Sequence, residues 1–256
     1  MTEILVLCGS ALLAGIVNSV AGGGTLLTFP VLLWTLGSPV VANATSTTVL
    51  FPGSLAAVWG YRRELQKQRK WIMPLLIPSL VGGFIGTWLV VCLPERVFEN
   101  LVPWLILLAT ILFMAQPAIS RWTGIGQSHQ HPTLRLMIGI IAFQFLVALY
   151  GGYFGAGIGI LMLSSLAMMG VADIHQMNAL KSLLASAING MSVALFVWNG
   201  KVNWGYAVPM IAAATAGGFL GASVARRLDK NIVRYSVIII GFVLAAYYLS
   251  RPYLPF

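Results

Sequence analysis

Ten apolar segments follow one another along this chain, and nearly all of its charges lie in the short stretches between them. The segments run at 4–21, 25–37, 40–61, 71–93, 101–119, 134–151, 155–170, 174–198, 204–225 and 232–250. Soluble domains carry charge on about 25% of their residues; here the charged share is 8% and the mean hydropathy is +0.89. Backbone inside lipid must satisfy its own hydrogen bonds, which restricts apolar chains of this kind to helices of about 20 residues per span. The sequence therefore predicts an all-α, polytopic integral membrane protein of about 8–10 membrane segments. Its opening, MTEILVLCGSALLAG, lacks a basic leader and carries Glu3, so it reads as a retained first span and not as a signal peptide.

The loops orient these segments. Arg62, Arg63, Lys67, Arg69 and Lys70 share one polar stretch, Arg121 and Arg135 flank another, and Arg226, Arg227, Lys230 and Arg234 mark a third. If the segments alternate, these eleven residues fall on one side, against Arg96, Lys201 and Arg251 on the other. The positive-inside rule then makes the first side cytoplasmic and puts both termini outside. Treating a Gly-rich pair of segments as a re-entrant hairpin leaves this parity unchanged. The net charge of +9 is accounted for by orientation and gives no reason to expect a nucleic-acid partner. The partners expected are membrane lipid and a small anion, with room left for a homo-oligomer.

The two halves of the chain echo each other. VGGFIG (81–86) returns as AGGFLG (216–221), an offset of 135 at which Asn43 meets Asn178, Thr47 meets Ser182 and Ser54 meets Asn189. GGG (22–24) faces GAG (155–157) at an offset of 133. Each half holds an odd number of segments, so the second enters the bilayer from the opposite side, as in the inverted repeats of many secondary transporters. The expected organisation is a first repeat over 1–119, a connecting loop over 120–133 and a second repeat over 134–256. Ser38-Pro39 reads as a helix cap with proline at the first helical position, and Asp173 with Gln176 has capping-box spacing. Trp71 and Trp204 suit the membrane interface. Gly82/Gly86 and Gly217/Gly221 have the spacing of close helix packing.

Triple glycine in an apolar run calls for a different explanation, since each glycine costs roughly 1 kcal/mol in a helix interior. The segment after it, at 25–37, is too short to cross a core of about 30 Å. Matched Gly-rich breaks in two repeats point to broken helices meeting near the midplane, whose free N–H groups and positive helix ends attract anions. All six acidic residues lie at loops or segment ends, so no intramembrane carboxylate is available for a cation. Lys181 is the one charge well inside a segment. It flanks a polar face of Asn178, Ser182 and Asn189, matched in the first half by Asn43, Thr47 and Ser54, with Ser46 in place of the lysine. Two readings meet at Lys181, a contact to an anion or a side chain snorkelling to the cytoplasmic surface.

Other chemistry finds no support. His129, His131 and His175 lie at loops or helix starts and pair with no intramembrane serine, and no P-loop is present. Cys8 and Cys92 read as small buried residues, and NAT at 43–45 as membrane interior and not a glycosylation site. No enzyme activity, metal or cofactor is expected.

GIVNSVAGGGTLLTFPVLL, the ANATST that follows, and the echo GGYFGAGIGILMLSSL with MNALKSLL together resemble the sulfite exporter TauE/SafE family, also called toluene-sulfonate uptake permeases. The resemblance spans nearly the whole chain. It implies a bacterial-type inner-membrane permease for small sulfur-containing anions such as sulfite, sulfonates or sulfoacetate. It also implies a site at Gly22, Gly23, Gly24 and Thr25 with Asn43, and at Gly155 and Gly157 with Asn178. The polar faces add Thr47 and Ser182, and electrostatics adds Lys181. A passive anion channel and a carrier for carboxylates are the alternatives, with a membrane-embedded enzyme or assembly subunit behind them.

Overall fold

The computed structural model describes residues 2–20, 23–122, 134–169, 171, 173–224 and 230–250. The described residues form α-helices and the turns between them: α1 (Thr2–Val20), α2 (Thr25–Leu36), α3 (Pro39–Gly60), α4 (Arg62–Lys67), α5 (Arg69–Cys92), α6 (Glu95–Trp122), α7 (Leu134–Tyr153), α8 (Ile158–Met168), α9 (Ile174–Trp198), α10 (Trp204–Val224) and α11 (Lys230–Leu249). The protein is thus all-α, as its apolar segments predict. Among the described residues three helices combine the length and apolarity of a full membrane span, within Arg69–Cys92, Glu95–Ala115 and His175–Trp198. At 12 and 11 residues, α2 and α8 each rise about 16–18 Å, roughly half a bilayer core.

A few side-chain bonds fix which ends lie together. Tyr206 bonds Glu3 at 3.3 Å, Ser38 donates its hydroxyl to Glu95, and the Asn203 N–H donates to Thr45 at 3.1 Å. The starts of α1, α3, α6 and α10 therefore share one end of the bundle. At the other end Gln68 donates to Gln176, joining the basic stretch at 61–70 to the start of α9. Exposed Trp34, Trp198 and Trp204 ring the first end, and exposed Trp59 the second. Arg62 lies 5.0 Å over the Trp59 ring and Lys70 5.0 Å over that of Trp71. Such amphipathic anchors suit the two water–lipid boundaries.

Helix packing pairs off. α1 lies along α10, and α5 along α7. A Cβ at Gly217 would strike the Leu12 carbonyl, and one at Gly82 or Gly86 would strike the carbonyls of Phe145 or Leu149. These glycines let backbones touch, as their small-xxx-small spacing predicts. α3 packs on α9 at the centre and α6 on α11. The contacts of α1 with α2, α2 with α3, α3 with α10 and α2 with α11 have counterparts in α7 with α8, α8 with α9, α9 with α5 and α8 with α6.

Three expectations need adjustment. The basic stretch 62–70 is not a plain loop: α4 forms there because Leu65 buries itself against neighbouring apolar residues. Asp173 caps α9 by accepting the His175 N–H at 2.8 Å, but Gln176 bonds Gln68 and does not close a capping box. Cys92 is exposed at the end of α5 and Cys8 half-buried; both are free thiols. Gly22, His129, His131, Arg226, Arg227 and Arg251 lie outside the described residues.

Candidate functional site

The two breaks are not alike in detail. At the first, Gly23 takes φ +92° and Gly24 starts α2. At the second, Gly155 and Gly157 take φ +84° and +80° around buried Ala156. Positive φ is where glycine alone is comfortable. Tyr150 donates its hydroxyl to the Ala156 carbonyl at 2.8 Å. Because a trans peptide points its C=O and N–H in opposite directions, this bond turns the Gly157 N–H away from Tyr150.

The helix starts at the breaks differ from those at the bundle ends. Ser38 caps α3 through the Val41 N–H at 3.3 Å, and Asp173 caps α9. Gly24 and Gly157, which precede α2 and α8, have no side chain with which to cap. The first N–H groups of a helix have no intrahelical acceptor, and none is recorded for Thr25, Ile158 or Gly159 among the described residues.

Both starts face one cavity of about 440 Å³. Gly23 and Thr25 line it from the first break, and Gly155, Gly157, Ile158 and Gly159 from the second. α3 contributes Thr47 and Ser54, and α9 contributes Lys181, Ser182 and Asn189. Asn18, Phe113 and Thr215 also line it, although the sequence singled out none of the three as a site residue. Among the described residues no Asp or Glu is in the lining. Among the described residues Lys181 has neither an ion-pair partner nor a hydrogen bond. Its stem runs past Gly159, within 3.4 Å of where a Cβ there would sit. A helix start without a cap thus lies beside a lysine that has no counter-ion among the described residues. The matching residue of the first half, Ser46, is buried and bonds Thr28 at 2.6 Å, so the full charge belongs to one half only.

Of the site residues read from the sequence, the cavity gathers Gly23, Thr25, Thr47, Gly155, Gly157, Lys181 and Ser182. Gly24 sits behind Thr25, where a Cβ would lie 2.9 Å from the Ala14 carbonyl oxygen. Asn43 is buried and donates to the Tyr153 carbonyl at 3.1 Å, outside the lining, and Asn178 is half-buried and also outside it. The lining comes from the later turns of α3, α6 and α10 and the earlier turns of α9, so the cavity reaches from the breaks toward the basic end. Beyond the breaks the opposite half is filled by aromatics. Phe29 meets Phe154 edge-on at 5.2 Å, and Phe98 meets Tyr153 at 5.2 Å.

Tyr150→Phe isolates the role of the second break's pin. It leaves a buried carbonyl unpaired, at about 1–3 kcal/mol. The expected result is a melting temperature lowered by several degrees; if it does not change, the glycines hold the break without help.

An all-α membrane protein with broken helices around an internal cavity has the architecture of a membrane transporter. The profile of the sulfite exporter TauE/SafE family matches residues 7–248, and the chain belongs to that family. It is 28% identical to a probable membrane transporter protein of Haemophilus influenzae over 91% of this chain and 89% of that one. It is also 26% identical to the probable membrane transporter protein YfcA of Escherichia coli K12, over 92% and 86%. To YunE of Bacillus subtilis, named likewise, it is 27% identical over 93% and 95%. The chain is thus an integral membrane transporter.

Proposed function

We propose that this transporter is a secondary carrier for small sulfur-containing anions, such as sulfite or organosulfonates, and that it binds them in the cavity between the two breaks. One observation carries the reading. Two uncapped helix starts and a lysine unpaired among the described residues converge on a cavity whose described lining holds no carboxylate. A helix start contributes about 0.3–1 kcal/mol toward an anion, and up to ~2 when partly buried. An ammonium within reach adds a charge-assisted bond, roughly twice as strong as a neutral one. Gly23, Thr25, Gly155, Gly157, Lys181 and Ser182 are the proposed contacts. The sulfur-containing class rests on the description of the family. The aromatic filling of one half supports a carrier over a passive channel, which needs a continuous path.

The halves 1–119 and 134–256 are proposed as inverted repeats. The exchange of packing partners between them supports this, as do α1 and α10 starting from one end while α5 starts from the other. The basic end is proposed as the cytoplasmic face of a bacterial-type inner membrane, with both termini outside. Cysteines introduced at Gln66 and Asp229 should resist an impermeant thiol reagent in intact cells. Ready labelling of both would invert the topology.

A thermal-shift screen of purified protein against sulfite, thiosulfate, sulfonates and carboxylates tests the substrate class. A ligand at 100 times its Kd adds about 2.7 kcal/mol of stability, which for a chain of this size raises Tm by roughly 5–10 °C. A saturable shift with sulfur anions is expected. A shift confined to carboxylates would reassign the substrate.

A further inference from the structure

Asn43 and Asn178 occupy matched positions in the two halves, yet the structure holds them differently. Asn43 is buried, and its Nδ2 donates to the Tyr153 carbonyl, joining α3 of the first half to the last residue of α7 in the second. Its Oδ1 is buried with no partner. An apolar residue would avoid that desolvation penalty, so the residue is accounted for by the one bond it makes. Asn178 is half-buried and makes no hydrogen bond among the described residues. The offset of 133 that relates the two breaks carries Tyr153 onto Val20, the last residue of α1.

The surroundings divide in the same way. On the side of Asn43, Phe29, Phe98 and Tyr153 fill the space, Phe154 stands between them and the cavity, and α3 packs on α6. On the side of Asn178 lies the cavity, and α9 has no equally extensive contact with α11 among the described residues. One half is latched and packed with aromatics, the other unlatched and bordered by the cavity.

We infer that Asn43 and Asn178 are reciprocal latches of the transport cycle, positioning residues and not ligands of the anion. In this state Asn43 holds the Tyr153 carbonyl and closes the end opposite the basic face. In the alternate state Asn178 donates to the Val20 carbonyl, Asn43 releases Tyr153, and the void passes to the other end. This rests on the carrier reading but not on the identity of the anion. A single buried amide–carbonyl bond shifts a two-state equilibrium by about two- to tenfold, enough to bias the states without locking either.

The test uses the full chain in proteoliposomes without substrate, with Cys8 and Cys92 replaced and one reporter cysteine at a time. Ala44→Cys reports the filled half, where Ala44 is wholly buried, and Ala185→Cys reports the cavity. Rates of labelling by a small hydrophilic maleimide are compared. Asn43→Ala should raise the rate at position 44 by about two- to tenfold and lower it at 185. Asn178→Ala should do the reverse, and the double variant should return both rates toward those of the parent. Asn178→Ala breaks no bond seen here, so its arm stands even where Asn43→Ala folds poorly. Unchanged rates in Asn178→Ala, or shifts of the same sign in both variants, would overturn the latch. Opposite shifts in a protein that binds no anion of the panel would keep the latch and remove the proposed site.

Discussion

Replacing Lys181 with glutamine should weaken anion binding by about 10- to 100-fold, the range expected when a hydrogen bond to a charged group worth about 1.5–3 kcal/mol is lost. Glutamine keeps a polar donor of similar length and removes only the charge. Lys181 lines the cavity beside the start of α8, its stem crossing Gly159, and no carboxylate among the described lining residues competes for it. An anion leaving water for this cavity meets there Lys181, the one basic side chain among the described lining residues. Lys181→Arg should retain partial binding with altered selectivity, since guanidinium differs from ammonium in shape and hydration. A snorkelling lysine predicts otherwise, because its head group would stay hydrated and its neutralisation would leave the affinity unchanged. The binding constant of each variant for the best ligand of the panel decides between them.

Gly23→Leu should abolish transport while the protein still inserts. Gly23 takes φ +92°, where a residue with a Cβ is strained by about 1–3 kcal/mol. A Cβ there would also run into the ring of Phe113, a wall of the same cavity. Strain and obstruction therefore coincide at the first break. Gly37 separates the two effects, since it takes φ +68° at the end of α2 with open space around it. Gly37→Leu should carry comparable backbone strain and keep transporting. Equal loss in both variants would trace the defect to strain alone; equal retention would remove the first break from the site.

Much of the fold was legible because membrane helices announce themselves by length and apolarity. The shortness of α2, the cap at Ser38 and the glycine pairs that let α5 meet α7 all follow from local rules read correctly. α4 was not legible, since its one buried residue, Leu65, sets up no periodicity in a run of charges. Nor was the aromatic filling, which gathers Phe29, Phe98 and Phe154 from three distant segments. At the site, helical spacing put Asn43 and Thr47 on one face, but it could not say how far along that face the cavity runs. It takes in Thr47 and stops short of Asn43, which the α7 carbonyl claims instead. Phe113, Asn18 and Thr215 were missed because a lone aromatic or small polar residue in a membrane helix carries no signal until a void forms beside it.

Counterflow in proteoliposomes tests the carrier reading most directly. Vesicles loaded with a high concentration of unlabelled sulfite, or of the best anion from the screen, are diluted into a trace of the labelled anion. A carrier with one alternating site should accumulate label transiently above its equilibrium level, saturate with external anion, and lose the overshoot in Lys181→Gln. Flux that rises linearly with concentration, shows no overshoot and is indifferent to Lys181 would contradict a carrier that binds its anion between the breaks.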